Sequence, residues 1–249
     1  MAAVDLHFHL LPGVDDGPAE MADSLELASA AVADGTRTVV TTPHVRTDFF
    51  TAVHELPQRV SELRAALAHY GIPLELRCGG ELGHDMVGRL PQGELELIAQ
   101  GPPSARWLLV EAPFEGFGED FHAATEELRE RGFGVLIAHP ERSADAVLAQ
   151  GAGLRREFEA GSLAQVNALS LSGGHGGDAE QAAWRLIDEY LVAVVSSDAH
   201  GPSRPPALRL AERCLVEHGA PAKLAQRLTT SAARGLLARG IASRAALAA

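Results

Sequence analysis

Seven short apolar runs, alternating with stretches of helical spacing, constrain this 249-residue chain more than any other feature. "AVDLHFHLL", "TRTVVTTPH", "IPLELRCGGEL", "ARWLLVEAPF", "FGVLIAHPER", "SLAQVNALSL" and "LVAVVSSDAH" are mostly continuous in their apolar residues, as strands are when a parallel sheet is buried on both faces. Between or after them, "MADSLELASAAVADG", "LPQRVSELRAALAHYG", "EDFHAATEELRERG", "DAVLAQGAGLRREFEAG", "AEQAAWRLIDEYL" and "PPALRLAERCLVEHG" carry helical spacing. Most of these stop at a glycine able to cap a helix C-terminus. Strand and helix alternating about seven times imply parallel crossovers. No composition break or linker divides them, and 46% hydrophobic content supports a sizeable core, so residues 1–249 are expected to form one α/β domain, a closed or nearly closed barrel.

Charge and cysteine usage remove several function classes. A formal net charge of -12 argues against nucleic acid or anionic lipid as partner, because both need a Lys/Arg surplus to displace counterions. The only cysteines, Cys78 and Cys214, lie far apart without CxxC spacing, and neither starts a C-x5-R loop; a thiolate zinc site and cysteine-nucleophile phosphatase chemistry are both disfavoured. The start "MAAVDLHFH" has no basic or apolar leader, and no apolar run approaches the ~20 residues of a membrane span. A soluble cytoplasmic protein without membrane insertion is expected; the oligomeric state is open.

The ligand-capable residues fall in a pattern. His7 and His9 close the first run, His44 the second, Glu81 the third, Glu111 the fourth, His139 the fifth, and Asp198 and His200 the seventh. All stand at the C-terminal ends of expected strands, the rim where parallel barrels gather their catalytic loops. Any one alone would read as a packed, hydrogen-bonded side chain, but together they would leave several buried charges unpaired unless a cation is present. His54, His69, His84, His122, His175 and His218 lack this placement and read as surface residues. Imidazole with carboxylate suits manganese, iron or zinc rather than calcium, and so many ligands imply two or three ions. Such ions activate water and clamp phosphoryl or acyl oxygens, which makes hydrolysis the expected reaction class. Arg142, just past His139, and Arg204, just past His200, add guanidinium forks suited to phosphate.

"DLHFHLLPGVDDG", "TPH", "GGEL", "VE", "AHPER", "QVN" and "SSDAH", in this order over residues 4 to about 235, resemble the polymerase and histidinol phosphatase (PHP) superfamily. They are most similar to its bacterial protein-tyrosine phosphatases encoded beside capsule and exopolysaccharide genes. The resemblance implies a distorted (β/α)7 TIM-like barrel and a trinuclear, usually manganese-supported site, with iron, zinc or magnesium as alternatives. It assigns His7, His9, Glu81 and Asp198 to one ion, Glu81, Glu111 and His139 to a second, and Asp16, His44 and His200 to a third, with Asp16 preferred to Asp15 on the family pattern alone. Arg142 and Arg204 match the arginines used on the phosphate, and the implied substrate is the phosphorylated tail of a tyrosine autokinase. Two departures touch the pocket rim: "ELGHDM" lacks an aromatic residue often found after the glutamate, and the glycine-rich loop of "QVNALSLSGGHGG" is this chain's own. Two other readings stand beside this one: a small-molecule phosphatase of histidinol-phosphatase type, and a catalytically silent metal-binding barrel that docks to a partner.

Overall fold

The apolar runs form nine strand segments, all paired in parallel: β1 (Ala3–Phe8), β2 (Thr36–Thr41), β3 (His44–Val45), β4 (Glu75–Cys78), β5 (Glu81–Leu82), β6 (Trp107–Glu111), β7 (Gly134–Ala138), β8 (Leu163–Asn167) and β9 (Val192–Ser196). The structure, a computed structural model, describes residues 2–147 and 151–243. Around the strands run α1 (Met21–Ala33), α2 (Leu56–His69), α3 (Gln92–Ile98), α4 (Glu119–Glu130), α5 (Ala144–Val147), α6 (Ala152–Glu159), α7 (Gly177–Asp188), α8 (Leu208–Glu217), α9 (Ala222–Gln226) and α10 (Ala232–Arg239). The expected helix over 145–161 is therefore two helices, and its residues 148–150 lie outside the described residues.

Two of the expected strands are each broken in two, and the breaks shape the site. Pro43, which has no N–H to give a ladder, separates β2 from β3. Gly79 and Gly80 separate β4 from β5, and a Cβ on Gly79 would come within 2.5 Å of the Val40 side chain, so the close approach of β4 to β2 there requires glycine. Beyond the breaks the chain changes sheet: β1-β2-β4 form one and β3-β5-β6-β7-β8-β9 the other. His44 and Glu81 thereby become direct register partners at the start of β3 and β5.

The sheets also meet at their first and last strands. Phe8 bridges in parallel to Ala199, the N–H of Asp198 donates to His7 O at 2.9 Å, and the N–H of His9 donates to Ala199 O at 2.9 Å. Buried Asp5 reinforces this seam by accepting from the backbone N–H of Ser197 at 3.1 Å. Alternate residues of the strands face opposite ways. Trp107, Leu109, Leu136, Ala138 and Val194 pack into a small core that Ala233 of α10 covers, while Leu108, Val110, Val135, Ile137 and Val195 belong to the larger core under the helices. Burial on both faces explains why the runs read as continuously apolar. The indole N–H of Trp107 donates to Leu236 O at 3.0 Å, fixing α10 to the strands.

Candidate metal centre

The nine residues expected as ligands come together around the C-terminal ends of β1, β2, β4, β6, β7 and β9, with His44 and Glu81 opening the short β3 and β5 beyond the breaks; all are buried except Asp16, whose side chain is 45% exposed. His7 Nε2 lies 3.2 Å from His9 Nε2, 3.3 Å from Glu81 Oε2 and 3.2 Å from Asp198 Oδ1. His9 Nε2 lies 3.4 Å from both of those carboxylate oxygens. Two donor atoms bound at ~2.1 Å to one ion would stand roughly 3.0 Å apart in an octahedral shell and roughly 3.4 Å apart in a tetrahedral one. The observed spacings fall there. His44 Nδ1 is 2.9 Å from Glu81 Oε2, yet neither atom makes a hydrogen bond, and His139 Nδ1, Asp198 Oδ1 and His200 Nε2 are likewise buried without a hydrogen bond. Orphaned, converging donors of this kind fit divalent ions.

The ligand-capable atoms fall into four overlapping groups: His9, Asp16, His44 and His200; His7, His9 and Asp198; His7, Glu81 and His139; and His44, Glu81 and Glu111. Asp16, His44 and His200 thus stand together as the resemblance implied. His139 groups with His7 rather than with Glu111, whose nearest histidine in these groups is His44. Glu81 is common to two groups.

A shell of hydrogen bonds sets the imidazole tautomers. His7 Nδ1 donates to Gln165 Oε1 at 2.9 Å, Gln165 Nε2 to Asn167 Oδ1 at 2.8 Å, and Asn167 Nδ2 to Asp198 Oδ2 at 2.7 Å. His9 Nδ1 donates to Asp15 Oδ2 at 2.6 Å, and His200 Nδ1 to the Asp198 carbonyl at 2.9 Å. In all three rings Nδ1 is occupied, so Nε2 presents its lone pair to the centre. Backbone strain is concentrated here too: His139 at φ 37° and Asp198 at φ 53° are two of three non-glycine residues with positive φ among the described residues. Such conformations cost on the order of 1–3 kcal/mol each and persist only where the surroundings impose them.

Without an ion, protons hold the carboxylates together. Burial alone would lower His7, His9 and His44, but the surrounding carboxylates outweigh it and raise all three, His44 to about 10. Burial alone would raise Glu81 and Asp198, and the histidines hold both well below the usual carboxylate range. Glu111 is raised, by burial and then by repulsion from Glu81. Arg204 Nη2 donates to Asp198 Oδ2 at 2.6 Å and Arg142 Nη1 is 3.6 Å from the same oxygen, so both guanidiniums border the cluster, about one quarter exposed.

Residues 3–238 match the family described as capsular polysaccharide synthesis, CpsB/CapC. The chain belongs to the CpsB/CapC family. It is 31% identical over 207 residues, 79% of this chain and 77% of the relative, to the tyrosine-protein phosphatase YwqE of Bacillus subtilis. To the tyrosine-protein phosphatase CpsB of Streptococcus pneumoniae it is 26% identical over 217 residues, 84% of this chain and 87% of the relative. A solved structure described under the crystal structures of YwqE from Bacillus subtilis and CpsB from Streptococcus pneumoniae, unique metal-dependent tyrosine phosphatases, matches with a TM-score of 0.81 at 28% identity, covering 94% of this chain and 93% of the other. A phosphotriesterase homology protein of Escherichia coli, 13% identical with a TM-score of 0.60 over 93% of this chain and 97% of its own, shares the fold alone.

In this CpsB/CapC chain several residues around the cluster carry no signal of their role in the sequence. Arg46 donates through Nη1 to both oxygens of Glu111, at 3.0 and 2.8 Å, and to Asp48 through Nε and Nη2. Asp15 positions His9 and also accepts from the N–H of His44 at 3.0 Å, a role that "VDDG" does not distinguish from a turn. Two histidines read as surface residues are not. His122 is buried and donates from Nδ1 to Glu157 at 2.7 Å, because α4 turns it towards α6. His175 has an enclosed Nε2, and its Nδ1 donates to Ser170 Oγ at 2.9 Å while Ser170 donates to buried Glu141 at 2.7 Å. Burial and the nearby Arg142 push His175 down to about 4.

Proposed function

We propose that this chain is a divalent-metal-dependent phosphomonoester hydrolase acting on protein phosphotyrosine, with the phosphorylated tail of a tyrosine kinase of capsular or exopolysaccharide synthesis as its substrate. The observation that carries the reading is the approach of His7 Nε2 and His9 Nε2 to one another and to Glu81 Oε2 and Asp198 Oδ1, all at 3.2–3.4 Å, with two arginines beside Asp198. His7, His9, Asp16, His44, Glu81, Glu111, His139, Asp198 and His200 would hold two or three ions, manganese first, and Glu81, the one carboxylate among the described residues that belongs to two groups, would serve more than one of them. When bound, the ions would supply water activation and charge neutralisation at the phosphoryl group. Arg142 and Arg204 would each offer two parallel N–H donors to phosphate oxygens, turning from Asp198 Oδ2 to do so. The neutral His175 beside them has Nδ1 committed to Ser170 and no proton on Nε2, so it cannot serve as a strong acid for the leaving oxygen. A phenolate leaves with less need of one than an alkoxide, which favours phosphotyrosine over phosphoserine.

The same reading takes the two sheets as the wall of one distorted seven-pass barrel in a single domain, joined along the β1–β9 seam, with the site at its open end. It places the enzyme in the cytoplasm, in keeping with described helices none of which is long and apolar enough to cross a membrane.

The test is kcat/KM with manganese for matched phosphotyrosine and phosphoserine peptides and for histidinol phosphate. The phosphotyrosine peptide should lead by at least about tenfold, chelation should abolish turnover, and Arg142→Lys or Arg204→Lys should not restore what the alanine variants lose, because a point charge does not replace the fork. A tenfold lead for histidinol phosphate would leave a metal hydrolase but overturn the protein substrate.

A further inference from the structure

Two of the few large hydrophobic side chains exposed on this molecule stand at the rim of the metal centre. Phe49 is 43% exposed and Phe114 is 44% exposed. Each rests on a histidine of the cluster: Phe49 stacks on His44 with centroids 4.8 Å apart, and Phe114 lies parallel to His139 within 6°, at 6.3 Å. Those histidines approach opposite oxygens of one carboxylate, His44 Nδ1 at 2.9 Å from Glu81 Oε2 and His139 Nε2 at 2.8 Å from Glu81 Oε1. The two rings therefore stand over the two ends of Glu81.

Each ring also has its own guanidinium. The Arg46 Cζ lies 5.7 Å from the Phe49 centroid and the Arg142 Cζ 4.9 Å from that of Phe114. Arg46 is held by Glu111 and Asp48, so the Phe49 side is built rather than loose. On the other side the backbone N–H of Ala144 donates to Phe114 O at 2.9 Å, tying the Phe114 loop to the start of α5. A cleft of about 410 Å³ opens there, with Arg46, Glu111, Pro113 and Phe114 among its walls. Arg142 links the two features, since one guanidinium both lies over the Phe114 ring and reaches Asp198 at the cluster. An anion held by Arg142 in this position would lie next to the Phe114 ring.

We propose that Phe49 and Phe114 are the specificity-determining walls of an aryl slot, which selects substrates whose phosphate is attached directly to an aromatic ring. This rests on the phosphatase reading above and deepens it: the metal cluster and arginines handle any phosphomonoester, and the two phenylalanines recognise the ring. The parts of the two rings left exposed gain by packing on an aromatic ring and gain little from a short alkyl chain.

The test uses binding as well as turnover. Phenylphosphonate and methylphosphonate, neither of which can be hydrolysed at a P–O ester, are titrated calorimetrically into the manganese-loaded full chain, its Phe49→Leu and Phe114→Leu variants, and Phe114→Tyr. Wild type should bind the phenyl compound at least about tenfold more tightly. Each leucine variant should weaken that ligand roughly 3- to 10-fold and leave methylphosphonate within about twofold, and Phe114→Tyr should retain wild-type preference. Equal affinities in wild type, or equal losses for both ligands in the leucine variants, would overturn the slot and leave the rings as mere cover for His44 and His139. Aryl preference without any phosphomonoester hydrolysis would sink the phosphatase reading while the slot stands; hydrolysis of phosphotyrosine with unchanged aryl preference in both leucine variants would do the reverse.

Discussion

Asp15 Oδ2 accepts from His9 Nδ1 at 2.6 Å, and this one bond decides which nitrogen of His9 faces the metal centre. The adjacent Asp16 does something different: its Oδ1 lies 3.1 Å from His200 Nε2 and 3.4 Å from His44 Nε2, among the groups that would bind an ion. Two neighbouring aspartates thus hold separate positions, one behind a histidine and one in front.

Asp15→Asn should therefore loosen ion binding without removing a ligand, since a carboxamide can present its NH2 to His9 and turn the ring. Loss of such an orienting group typically weakens metal affinity 10- to 100-fold. Competition with a fluorescent chelator measures it, and an unchanged affinity would mean that His9 is oriented by packing alone.

Glu81→Ala should lower activity more than Asp16→Ala, because Glu81 belongs to two ligand groups and Asp16 to one. The expected fall for Glu81 is at least ~100-fold. Elemental analysis after manganese reconstitution should find more than one ion per chain in wild type and fewer in Glu81→Ala. A wild-type stoichiometry at or below one, or equally mild losses in the two variants, contradicts the shared role.

Much of this site was legible because strand ends announce themselves. His7, Glu111 and His139 sit within one residue of a strand's C-terminus, and continuous apolar runs make those termini visible; His44 and Glu81 close their runs in the sequence but open the short β3 and β5 in the fold. Asp15, Gln165, Asn167 and Arg46 were not legible as partners, since they act across 6, 158, 31 and 65 residues of sequence on His9, His7, Asp198 and Glu111. The sheet change after Pro43 and Gly79-Gly80 was likewise hidden, because a run's apolarity does not reveal which neighbour it pairs with. His122 shows the limit of placing side chains by element: a helix residue counts as surface only once the neighbouring helix is known to lie elsewhere.

One helix end carries avoidable strain. Tyr190, beyond the end of α7, has φ 60° and is 79% exposed, while Leu191 N–H donates to Leu186 O at 2.9 Å in the manner of a glycine-terminated helix. The left-handed conformation costs a non-glycine residue roughly 1–2 kcal/mol, and the exposed ring has little burial to lose. Tyr190→Gly should raise the melting temperature by about 2–4 °C, less whatever the extra chain entropy of glycine removes. A lower melting temperature by calorimetry would show that the tyrosine contributes contacts exceeding the strain.

The stability of the ion-free protein should fall as pH rises from 7 to 9. His44 has a folded value of about 10, with Glu81 and Asp16 outweighing the opposing effect of burial. The unfolded chain releases that proton near ~6.5. A group raised on folding stabilises fully below its unfolded value, and that contribution is lost progressively as pH climbs towards the folded one. His7 and His9 are raised by the same carboxylates and act in the same direction, and so above pH 8 does Cys78, which burial raises to about 11 from an unfolded value near ~8.5; Asp5, raised by burial to about 6, loses its proton below this range. Between pH 7 and 9 the folded protein thus holds a proton on His44 that the unfolded chain has mostly lost. A divalent ion takes the proton's place, so manganese binding should release protons and flatten the slope. Urea midpoints at pH 7, 8 and 9, with chelator and with manganese, check both halves. A chelated midpoint that rises with pH would show that the histidine–carboxylate cluster is not held together by protons when its ions are removed.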